Sequence, residues 1–91
     1  MKIVRKVVIE NPLGLHARPA AIFVQTASRY KCDVHVERED IRVSGKSIMG
    51  IMMLAAEQGA EITIETDGKD AEECIEALVV IVTSDLELDK V

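Results

Sequence analysis

Ninety-one residues are enough for one modest hydrophobic core and too few for two, so the sequence predicts a single domain over residues 1–91. The chain is 48% hydrophobic but only 2% aromatic, which calls for an aliphatic core and excludes the aromatic stacking platforms of single-strand nucleic-acid binders. A net charge of −5 without any basic run argues further against a nucleic-acid partner.

Met1 to Arg5 lead straight into a strand pattern with no apolar signal region, and no apolar run approaches ~20 residues. A soluble, cytoplasmic protein without membrane association is expected. Ile3 to Glu10 read as a β-branched strand, closed by the Asn11-Pro12 turn signal and by Gly14. A helix follows, because Ala20, Phe23, Val24 and Ala27 recur at i, i+3, i+4 and i+7. Pro19 fits its first turn, where the missing N–H has no intrahelical partner to lose. Cys32, Val34 and Val36 alternate with Asp33, His35 and Glu37 as a half-buried strand. Arg38 to Asp40 form the turn, and Ile41 and Val43 return.

Ser47 is a favourable N-cap for a short helix through about Leu54. Ile51 and Met53 of that helix are assigned to the core. Gly59 closes the region, and Ile62 and Ile64 then alternate with Glu61, Thr63 and Glu65 as a further strand, ended by Asp67-Gly68. Asp70 with Glu73 resembles a capping box, opening a helix that buries Ala71, Cys74, Ile75, Leu78 and Val82. The β-branched run Val79 to Val82 would suit a strand by propensity, but capping and the 3.6-residue period favour helix. The order βαββαβα predicts an α+β fold with helices on one face of an antiparallel sheet.

Chemistry concentrates in Gly14, Leu15, His16, Ala17, Arg18, Pro19 and Ala20. His16 and Arg18 fall at a helix start, where backbone N–H groups lack intrahelical partners and the macrodipole favours an anion. A neutral imidazole nitrogen can attack a phosphoryl group, and the guanidinium fork matches phosphoryl oxygens. Phosphoryl transfer through histidine follows, with the backbone N–H groups of Ala17 and Arg18 donating hydrogen bonds to the phosphate. The bland alternative leaves His16 a helix cap and Arg18 a solvated charge. His35, on the polar phase of its strand, is given no role. Cys32 and Cys74 form no C-x-x-C pair, so two buried reduced thiols are expected and no metal site is offered.

The Gly14 to Ala20 run resembles the active-site segment of the HPr family, the histidine phosphocarriers of the phosphoenolpyruvate-dependent phosphotransferase system. A second stretch agrees with it: Lys46, Ser47, Ile48, Met49, Gly50, Ile51 and Met52, followed by Gln58, Gly59, Ala60, Glu61 and Ile62, is similar to the family's regulatory serine segment. The resemblance implies an open-faced β-sandwich, with a four-stranded antiparallel sheet covered on one face by three helices. It implies a phosphocarrier rather than an enzyme, a monomer needing no metal or organic cofactor. His16 would carry the phosphoryl group on Nδ1 as a pros-phosphohistidine intermediate, Arg18 would stabilise the phosphate, and Ser47 would be a regulatory phosphorylation site.

The implied partners are enzyme I as donor and IIA-type domains as acceptors, with HPr kinase/phosphorylase and a transcriptional regulator for the serine. Ile48, Met49, Met52, Ala21 and Ile22 would form the docking face; for Ile22, core and surface readings are even. Leu13 stands where the family often has Asn or Ser, although Leu is familiar in the nitrogen-control branch. The alternative function is therefore a regulatory binding module of the nitrogen-type or catabolite-control branch, signalling by phosphorylation state without sugar transport.

Overall fold

The computed structural model describes residues 1–12 and 14–84. Within them the elements run β1 (Lys2–Val8), α1 (Ala17–Ser28), β2 (Asp33–Arg38), β3 (Ile41–Ser44), α2 (Ile48–Met53), β4 (Glu61–Asp67) and α3 (Ala71–Thr83). This is the βαββαβα order expected from the residue pattern, and Val79 to Val82 are helical. The strands make one antiparallel sheet in the order β1-β4-β2-β3.

Strand alternation decides which face the helices cover. Ile62, Ile64 and Thr66 of β4, with Val34 and Val36 of β2, are buried in one core with Phe23, Ala20 and Ala27 of α1, Ile51 of α2 and Ile75, Leu78 and Val82 of α3. The stripes assigned to α1 and α3 are the buried ones. The opposite phase of the sheet stays open and carries charge. There Arg42 reaches Glu65 at 2.7 Å and Glu37 at 3.8 Å, and Lys2 reaches Glu65 at 3.4 Å. The Arg42 guanidinium holds the Glu65 carboxyl below its ordinary value. His35 lies on this face, paired in register with Glu65.

Four details depart from the sequence expectation. β1 ends at Val8, because Glu10 and Asn11 turn away and donate their N–H groups to Val82 O at the end of α3, at 2.8 and 3.3 Å. Arg38 belongs to β2 rather than to the turn, which is Glu39-Asp40 with Glu39 at φ 55. Asp70 precedes α3 but its carboxylate does not cap it; it accepts the N–H groups of Lys31 and Cys32 at 2.8 and 2.9 Å, pinning the entry of β2. Met53 is 65% exposed rather than part of the core. With Ile51 and Leu54 turned inward three residues apart, the helical period carries Met53 out beside Met49.

Cys32 and Cys74 are both buried and unbridged, as expected.

Candidate functional site

His16 is the N-cap residue of α1, with extended backbone at φ −79 and ψ −172. Its carbonyl accepts Ala20 N–H at 2.8 Å and so closes the first helical turn. The ring makes no capping hydrogen bond and is exposed, as are Ala17 and Arg18. Pro19, the third residue of α1 and without an N–H, is buried. The structure thus sets imidazole and guanidinium at the exposed start of one helix, and the helix supplies the N–H groups of its first turn along with them.

A long-range chain of contacts fixes this helix start. Leu15 is buried in the core and donates its N–H to Ala56 O at 2.8 Å. Gly14 has φ 62, and a Cβ there would stand 2.7 Å from Ala56 O and 2.9 Å from Glu57 Cα. Only glycine allows this close approach to the 56–58 segment. The two residues just before that segment are held by the Arg38 guanidinium, which donates to Leu54 O at 3.0 Å and Ala55 O at 2.8 Å. Gln58 Nε2 ties the segment back to Glu10 O at 3.1 Å.

Ser47 caps α2 as expected, its Oγ accepting Gly50 N–H at 3.0 Å. Lys46 secures the preceding loop by donating Nζ to Tyr30 O at 2.8 Å. α2 packs against α1 and turns Ile48, Met49, Met52 and Met53 to solvent, while Ile51 is buried. Ala21 and Ile22 of α1 are half-buried, so Ile22 fits neither the core nor the surface reading alone. Leu13 lies outside the described residues.

Sequence reasoning missed Arg38 and Met53 as parts of this region, and it named Gly14 without the close approach to residues 56–58 that requires it. An arginine on the inward phase of a half-buried strand was the one available signal for the first. Among the described residues no His, Cys, Asp and Glu side chains converge as a metal site. A surface groove of about 590 Å³, lined by Met1, Lys69, Glu72, Glu73 and Glu76, shares no residue with the histidine region. Its acidic walls would repel a phosphate.

The family described as PTS HPr component phosphorylation site matches residues 3–84. The chain belongs to the HPr family. It is 57% identical over 70 residues to "Phosphocarrier protein HPr" of Neisseria meningitidis serogroup A, a match covering 77% of this chain and 79% of that protein. It is 43% identical over 82 residues to "HPr-like protein Crh" of Bacillus subtilis, covering 90% and 96%. The crystal structure of an HPr from Bacillus anthracis superposes with a TM-score of 0.87 at 48% identity, covering 89% of this chain and 96% of that one. The four-stranded sheet with three helices is accordingly the fold of HPr proteins, the phosphocarriers of the phosphotransferase system, and the family includes regulatory Crh-like relatives. No helix among the described residues is long and apolar enough to cross a membrane.

Proposed function

We propose that this chain is a phosphocarrier that accepts a phosphoryl group on His16 from phospho-enzyme I and hands it to IIA-type domains, working in the cytoplasm as a monomer. The carrying observation is the exposed His16 ring at the N-cap of α1, not engaged as a cap. An imidazole nitrogen attacks phosphorus, the N–P bond forms as the donor's bond breaks, and no water is needed. The Arg18 guanidinium and the N–H groups of Ala17 and Arg18 then bear on the phosphoryl oxygens as charge-assisted donors. The exposed residues Ile48, Met49 and Met52, with half-buried Ala21 and Ile22 on the neighbouring helix, supply the docking face. Transient handover suits such a small apolar contact. The chain itself acts as a phosphorylated intermediate rather than as an enzyme.

Incubation with phosphoenolpyruvate and enzyme I should give an acid-labile, base-stable phosphoprotein, with the label absent from His16→Ala. Equal labelling of that variant overturns the assignment.

A regulatory reading is favoured by one observation, the likeness to Crh over 90% of the chain. In it Ser47 is the modified residue, phosphorylated by HPr kinase/phosphorylase and read by a transcriptional regulator. A phosphate on Ser47 Oγ keeps an acceptor near Gly50 N–H and adds about two negative charges beside the docking face, acting by repulsion rather than unfolding. Mapping the phosphorylated residue after treatment with a serine kinase and ATP, in parallel with enzyme I labelling, separates the two readings.

A further inference from the structure

The sulfur atoms of this chain divide by exposure. Cys32 and Cys74 are only 3% and 0% exposed, and burial pushes the Cys74 thiol up to about 12. Burial raises the Cys32 thiol as well, with Cys74 and Lys46 opposing and Asp70 raising it further. Thiolate, the form that reacts with oxidants, is therefore scarce in both at neutral pH. The thioethers present the opposite case. Met49, Met52 and Met53 are 76%, 45% and 65% exposed, so three of the four methionines in the chain stand open on α2. A thioether needs no deprotonation to react.

We propose that α2 is an oxidation site at which hydrogen peroxide or an alkyl hydroperoxide converts Met49, Met52 and Met53 to sulfoxides and thereby weakens partner docking without disturbing the fold. This rests on the phosphocarrier reading given above. In each event a sulfur lone pair attacks a peroxide oxygen. An S–O bond forms and the O–O bond breaks. The sulfur is oxidised by two electrons, and the peroxide leaves as water or an alcohol after proton transfer. The product replaces a flexible apolar group by a polar, chiral one, which suits solvent and spoils an apolar contact. Ile51 and Leu54, which hold α2 to the core, carry no sulfur, so the helix keeps its anchorage.

The test treats the intact protein with hydrogen peroxide, maps added oxygen by peptide mass, and measures transfer from phospho-enzyme I. Sulfoxide at the three α2 positions should raise KM about tenfold, the equivalent of one lost apolar anchor, with kcat and the melting temperature unchanged. Both thiols should still titrate after unfolding. Methionine sulfoxide reductase with a dithiol reductant should restore KM. A variant carrying Met49→Leu, Met52→Leu and Met53→Leu should show the same KM before and after peroxide, although exposed Met1 is still oxidised.

Mapped α2 sulfoxides with an unmoved KM overturn the proposal. So do loss of the thiols in place of α2 oxidation, a fallen melting temperature, or a peroxide-sensitive leucine variant. An untreated chain that accepts no phosphoryl group overturns the carrier reading first, and the docking consequence with it.

Discussion

Asp70 stands where a helix cap is expected and directs its carboxylate elsewhere. Its backbone, at φ −101 and ψ 21, lacks the extended conformation that aims a capping side chain along the helix, and its oxygens fasten Lys31 and Cys32 instead. The Lys31 N–H, and after it the Cys32 N–H, holds the carboxyl below its ordinary 3.8. The unfolded chain therefore binds this proton first as pH falls. Stability from the clasp is full above about 3.8 and is lost on descending through the lower folded value. Asp70→Asn should lower the urea midpoint at pH 7 and flatten the acid limb of the stability profile below about pH 4, measured by urea melts from pH 2 to 7. The placing of His16 and Ser47 at helix starts was legible at this scale, since each position is set by the residues beside it. The Asp70 clasp was not, because its partners lie 38 and 39 positions away.

A helix as short as Ile48–Met53 has no stability of its own in water, so α2 exists because its surroundings hold it. Ser47 satisfies one N–H at its start, Ile51 anchors its inner face, and Arg38 takes two carbonyls just past its end. A cationic donor there also complements the negative end of the helix dipole. Arg38→Met keeps much of the aliphatic stem and removes both hydrogen bonds. It should cost about 2 kcal/mol, read as a reduced urea midpoint with an unchanged m-value. The same variant should slow phosphoryl transfer, because the Ala56 carbonyl that seats Leu15 follows directly in the chain. Elements of this kind are visible in sequence where a period of 2 or 3.6 exposes one apolar face, as in β2, β4, α1 and α3, or where a cap or a β-branched run marks them, as Ser47 marked α2 and residues 3–10 marked β1. Their supports are not visible, since Arg38 and Gly14 act across the fold rather than along it. Met53 was misplaced because six residues fix the phase of a helix too loosely without its packing partners.

Across the whole molecule the helices cover one sheet face, and the charges of Lys2, Glu37, Arg42 and Glu65 occupy the other. Exposed pairs of this sort contribute little to stability, so the core beneath the helices carries the fold. The layer arrangement followed from element order and alternation, whereas the central position of β4 between β1 and β2 required the structure. β1 itself spans roughly 23 Å. It starts where Met1 O accepts Gly68 N–H and the terminal amine approaches Asp67 at 3.8 Å. It ends beside the loop that leads to Gly14 and His16. An immobilised sample attached to beads through its first residue would therefore present the imidazole outward, away from the support. It should take up as much label from a macromolecular donor as the same quantity free in solution.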